Sequence, residues 1–62
     1  MNAPEPLISI GEVAALLGVP VKTIRRWREY GKGPKGYRIG RHVKFRLSEV
    51  ETWLQMQADR AA

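Results

Sequence analysis

The 62-residue chain carries eleven Lys and Arg against six Asp and Glu, a formal net charge of +5, with no cysteine and a single histidine, His42. A chain of this length forms one domain and buries only about 60% of its unfolded surface, which leaves a thin core and little room for a catalytic pocket. Without cysteine there is no disulfide or thiolate metal site, one histidine among cations cannot build a zinc site, and no apolar run approaches the ~20 residues that span a bilayer, so no metal, no cofactor, no membrane association and a cytosolic location are expected.

Met1 to Pro6 holds two prolines and one acid, and reads as a flexible leader, residues 1–6, without core contacts. Folded structure is expected over 7–57. Ser9 and Glu12 have capping-box spacing, and Ile8 and Val13 have the spacing of a hydrophobic staple. Ile10, Val13, Ala14, Leu16 and Leu17 then recur at helical spacing, and Gly18 stands where a left-handed C-terminal residue belongs.

Gly18, Val19 and Pro20 make a tight connection to a second helix. Val21, Ile24, Trp27 and Arg28 lie on one side of it and Lys22, Arg25, Arg26 and Glu29 on the other. Two short helices joined by a three-residue turn are the pattern of a helix-turn-helix, whose second helix enters the major groove of DNA. An ordinary helical hairpin has the same spacing; the basic outer face of the second helix favours the former.

Three glycines, Pro34, Lys32 and Lys35 between Tyr30 and Gly36 end that helix in a loop. Next, Tyr37, Ile39, Val43 and Phe45 alternate with Arg38, Lys44 and Arg46 around Gly40, Arg41 and His42. This pattern predicts a β-hairpin with its apolar face on the core and its basic face in solvent. A second capping box, Ser48 to Glu51, opens a last helix whose inward face is Val50, Trp53 and Leu54, and residues 58–62 are expected to form a frayed tail. The fold expected is mostly α with a small β-hairpin, in the order α-α-β-β-α: a winged helix-turn-helix.

Charge is segregated along this chain. Ten of the eleven basic residues fall between Lys22 and Arg46, where Glu29 is the only acid, whereas Arg60 outside that stretch is opposed by five acids. Solubility asks only for mixed charge, so such clustering points to a surface that meets polyphosphate.

The stretch Ile8-Ser9-Ile10-Gly11-Glu12-Val13-Ala14-Ala15-Leu16-Leu17-Gly18-Val19, followed by Thr23-Ile24-Arg25-Arg26-Trp27, resembles the excisionase and MerR-like winged helix-turn-helix superfamily. So does Tyr37-Arg38-Ile39-Gly40-Arg41-His42-Val43-Lys44-Phe45, ending in Glu51-Thr52-Trp53-Leu54; together these cover about residues 7 to 55. One position departs: Pro20 stands where members commonly carry a serine cap for the second helix. Proline is tolerated in a first helical turn, so the helix is expected to persist with an uncertain first residue.

The resemblance implies sequence-selective binding to double-stranded DNA, with the second helix in the major groove and the hairpin reaching toward the minor groove. From the residues themselves, Lys22, Thr23, Arg25 and Arg26 occupy the first turns of the second helix, where base edges are approached. Arg26 is the leading candidate for base readout, with a phosphate clamp as the other reading; Thr23 is either a contact or a structural residue. Arg28 is expected to pack its stem on the core with its head toward a phosphate. Arg41 at the hairpin turn is placed for a narrow minor groove, Arg38, Lys44 and Arg46 for phosphates, and His42 for the backbone or for solvent alone. Lys32 and Lys35 are weaker candidates, Tyr30 is open, and Trp27, Trp53, Phe45 and Tyr37 are assigned mostly to the core.

No carboxylate pair, activated nucleophile or phosphate-cradling glycine motif appears, so no enzyme activity and no small-molecule substrate are expected. The resemblance implies a bacterial or phage DNA-recombination factor of excisionase type, which binds and bends attachment-site DNA to direct an integrase toward excision. A small MerR-like or phage-type transcription regulator is the alternative, and a basic protein-interaction module a further one. Full MerR regulators add a long dimerisation helix, and nothing after Trp53 is long enough for one. Affinity is then expected from several copies lying side by side on repeated half-sites.

Overall fold

The computed structural model describes residues 5–61; the expected leader falls outside it for residues 1–4. Six elements follow in order: β1 (Leu7–Ser9), α1 (Ile10–Leu17), α2 (Val21–Glu29), β2 (Gly36–Ile39), β3 (His42–Arg46) and α3 (Leu47–Ala61). Three helices and a small antiparallel sheet give the winged helix-turn-helix anticipated from the pattern.

Local signals explain α1 closely. The Ser9 backbone N–H donates to Glu12 Oε1 at 2.9 Å and the Glu12 N–H to Ser9 Oγ at 3.1 Å, so the box satisfies two of the orphan donors of the first turn. Gly18 ends the helix at φ 70°, a left-handed conformation that costs glycine little, and the Val19 N–H closes back on the Ala14 carbonyl at 3.0 Å. Pro20 is the N-cap of α2 and offers no side-chain acceptor, yet the helix begins at Val21 with the Thr23 N–H bonded to the Pro20 carbonyl at 3.0 Å.

The core is small, as the length requires. Val13, Ala14, Ile24, Phe45 and Val50 are buried, drawn from α1, α2, β3 and α3, and Ile8, Leu17, Val21, Trp27 and Val43 pack around them. Both residues of the expected staple, Ile8 and Val13, are in this cluster.

Four features differ from the sequence reading. First, the sheet has three strands in the order β1-β3-β2, because Leu7, Ile8 and Ser9 pair with Arg46, Phe45 and Lys44. A three-residue strand has no period to detect; it exists only through its partner.

Second, the hairpin turns over two residues, Gly40 and Arg41, and Ile39 pairs with His42 rather than with Val43. Gly40 has φ 61° while, among the described residues, no non-glycine residue has positive φ, which is the signature of a type II′ turn. That one-residue shift reverses the face of β2. Gly36 and Arg38 stand opposite Phe45 and Val43, whereas Tyr37 and Ile39 share the outer face with Lys44 and His42. Ile39 is therefore half exposed, and Tyr37 lies outside the core cluster.

Third, α3 starts at Leu47, directly after β3, so Ser48 lies inside the first turn and its expected box with Glu51 is replaced by a distant cap. The Glu5 carboxylate accepts from the Ser48 N–H at 2.9 Å and from Ser48 Oγ at 2.7 Å. Fourth, Val50, Trp53 and Gln57 form the inward stripe of α3, and Leu54, about 100° further round the helix than Trp53, is left 48% exposed. The helix continues to Ala61, and Gln55, Met56, Gln57 and Ala58 are good helix formers; the expected tail, 58–62, ends at residue 62, which lies outside the described residues. Among the described residues no helix is long and apolar enough to cross a membrane.

Candidate nucleic-acid interface

Burial on α2 follows its sequence pattern. Ile24 is buried and Val21, Trp27 and Arg28 are half-buried against the core, while Lys22, Arg25, Arg26 and Glu29 are exposed. The supporting helix α1 thus presents α2 with a basic outer side, as the helix-turn-helix geometry requires. Thr23 is half-buried, between the two sides.

Beside α2 the wing closes an open cleft of about 490 Å³. Arg25 and Arg28 enter it from α2, Arg41, His42 and Lys44 from the wing, with Glu29 as the one acid. On the other flank of α2, Lys22, Thr23, Arg25, Arg26, Trp27 and Glu29 line a second concavity of about 610 Å³. Arg25 and Glu29 belong to both concavities, and Arg25 so joins the basic outer side of α2 to the wing.

Arg28 reaches from α2 across to the wing. Its guanidinium lies against Gly36 at the start of β2: a Cβ built there would touch Arg28 Nη1 and would come within 3.0 Å of Phe45 Cε2 and 3.1 Å of Val43 Cγ1. Only glycine leaves that space, and no pattern of periodicity in the sequence singled Gly36 out. Lys44 sits near the start of α1, where it adds to the field on Glu12. The Glu12 carboxyl is held below the usual carboxylate range first by the Ser9 backbone N–H, then by the Ser9 side chain and by Lys44. Glu5 is lowered in the same way by the Ser48 N–H and hydroxyl, with Arg46 contributing.

Two of the expected contact residues stand apart from the cleft. Arg46 lies over the Tyr37 ring at 5.5 Å, with Lys35 Nζ 5.3 Å from the same ring, and the Tyr37 hydroxyl donates to Glu49 Oε1 at 2.8 Å. This cluster clamps the wing to α3. Arg38 is exposed on β2 and lines neither concavity. The structure therefore gathers Arg25, Arg28, Arg41, His42 and Lys44 into one cleft, places Lys22, Thr23 and Arg26 on the adjoining flank, and leaves Arg38 and Arg46 outside both.

Among the described residues no three His, Cys, Asp or Glu side chains come together as metal ligands, and no buried polar side-chain atom lacks a partner. What the surface offers is positive charge in two adjoining concavities, of the kind that suits phosphates and base edges.

Over residues 7–58, nearly the whole of the folded part, the sequence matches the model of a helix-turn-helix domain family. The chain belongs to that family. It is made up of small, excisionase-like phage DNA-binding domains, so DNA binding is the activity to which this helix-turn-helix domain is built. No curated protein matches the sequence.

Proposed function

We propose that this helix-turn-helix domain is a sequence-selective, double-stranded-DNA-binding factor of excisionase type, acting in the bacterial cytoplasm and without catalysis of its own. The observation that carries the reading is the shared position of Arg25, on the outer side of α2 and in the cleft beside the wing, which makes one cationic surface of two elements. Lys22, Thr23, Arg25 and Arg26 face base edges in the major groove, with Arg26 presenting two donors to guanine. Arg41, at the tip of the turn, enters the minor groove, where A·T-rich sequence concentrates negative potential. Arg28, Lys44 and His42 grip the phosphates between the two grooves; Arg38 and Arg46 reach only flanking phosphates, since they stand outside the cleft.

Excisionase-like family membership supports the recombination role: binding and bending attachment-site DNA so that an integrase is directed toward excision. One small module offers a modest interface, and adjacent copies on repeated half-sites supply the remaining affinity. Footprinting on the DNA that flanks the gene, with bending read by the mobility of circularly permuted fragments, tests the whole reading. Protection beside an integrase attachment site with a position-dependent mobility shift is the expected result. Protection confined to a promoter supports a transcription regulator instead, and binding indifferent to sequence overturns selective recognition.

A further inference from the structure

Adjoining the concavity on the outer side of α2, with which it shares Trp27, a third groove of about 500 Å³ opens between the loop that follows α2 and the outer half of α3. Its floor is aromatic: Trp27 and Trp53, both half-buried, meet at a ring-centroid distance of 5.4 Å and an interplanar angle of 41°. The loop forms one wall and is held against the first indole by glycine. Gly33 has φ 84°, and a Cβ there would stand 3.1 Å from Trp27 Cε3, while the Lys32 N–H bonds the Trp27 carbonyl at 2.7 Å. Met56, 53% exposed, forms the other wall, and Lys32 and Arg60 line the rim with no acid among the lining residues.

None of this serves the helix-turn-helix surface except Trp27. Core packing alone does not require it either, because two indoles at the bottom of an open concavity leave aromatic faces unburied in a domain that has little apolar surface to spare. Indoles in a concave site are the commonest anchors of protein recognition, methionine adapts to varied apolar shapes, and rim cations set the sign of the partner's charge. The volume accommodates one or two bulky side chains with their backbone.

The geometry points to this groove as a docking site for a peptide segment of a partner protein, consisting of a bulky apolar anchor flanked by carboxylates. The anchor seats between Trp27, Trp53 and Met56, and the carboxylates meet Arg60 and Lys32. Charge complementarity selects this occupant over a nucleic acid strand, which would need a track of cations rather than two on a rim.

Both tryptophans of the chain are in the groove, so its occupancy is read directly by intrinsic fluorescence. The test is selection of a phage-displayed random dodecamer library on the full chain, followed by titration of the enriched tryptophan-free peptides. Enrichment of acid-flanked Leu, Ile, Phe or Pro anchors is expected, with a change in tryptophan emission on binding. Affinity should fall at least tenfold in Arg60→Glu and again in Met56→Glu, while both variants keep their melting temperature and their affinity for duplex DNA. Basic or featureless enriched sequences, or binding untouched by both substitutions, overturns the proposal. So does concentration-dependent self-association abolished by Met56→Glu, which would make the occupant a second copy of the chain. Because the readout involves no DNA, failure here is distinct from failure of DNA recognition.

Discussion

Adding one methyl group at Gly36 tests how the core and the interface are joined. In Gly36→Ala the new Cβ meets Phe45 Cε2 at 3.0 Å and Val43 Cγ1 at 3.1 Å, and also the Arg28 guanidinium. Arg28 can swing toward solvent. Phe45 cannot, because it is fully buried in a core of five residues and stands directly across the ladder from position 36. Overpacking of this kind costs about 1–3 kcal/mol. A domain of this size has a total stability of about 3–9 kcal/mol, and each kcal/mol moves its Tm by about 4–8 °C. Thermal unfolding followed by circular dichroism should show a Tm lower by about 4–24 °C, and duplex binding well below that Tm should weaken because Arg28 has been displaced from the cleft. Gly11→Ala is the control: its Cβ meets only Ser9 Oγ at 3.8 Å, and replacing a helical glycine raises stability by about 0.5–1 kcal/mol. A Gly36→Ala protein that melts at or above the parent would refute the packing account of that position.

DNA binding by the cations of the two concavities should be steeply salt-dependent: about six phosphate contacts give a slope of log K against log salt near −5, and Lys44→Ala should flatten it by about one unit while weakening all duplexes alike. Arg26→Ala should instead reduce discrimination between the cognate and mismatched duplexes, measured by competition at fixed salt; unchanged discrimination would move base readout elsewhere on α2. Ser9→Ala removes the N-cap of α1 and should cost about 0.5–2 kcal/mol in urea unfolding. Because Glu5 and Glu12 have folded-state pKa values below the usual range, their contribution is complete above the unfolded carboxylate pKa and is lost as pH falls through the folded one. Tm should therefore decline on acidification across and below the ordinary carboxylate range, and Glu5→Gln with Glu12→Gln should make that decline shallower.

Much of this molecule is legible in its sequence where the cause is local. The Ser9–Glu12 box, the left-handed Gly18 and the two sides of α2 depend on residues within a turn or two of each other, and each is found in the structure as its spacing requires. What pattern reading misses depends on pairing across the chain. The alternation of Tyr, Ile, Val and Phe on both sides of Gly40 points Tyr37 and Ile39 inward, yet the two-residue turn sets a register that turns them outward. Ser48 looks like an N-cap until the helix is seen to begin at Leu47, two residues before such a cap would start it, and Glu5 to arrive from the other end of the chain. On the interface, the clustering of cations was visible, but the division between Arg41 and Lys44 inside the cleft and Arg38 and Arg46 outside it follows from wing register and from the clamp on Tyr37.

The short strand β1 has a mechanical consequence. It leads straight into the helix that supports α2 and is at the same time hydrogen-bonded along β3, so α2 and the wing tip are fastened to a common beam. The interval between them is a property of the protein alone, like the opening of a locked caliper. In the proposed complex, a duplex whose grooves do not already lie at that interval would itself have to yield, and the energy of that deformation, of order 1–6 kcal/mol for smooth curvature, would act as a sequence filter at base pairs no side chain reaches.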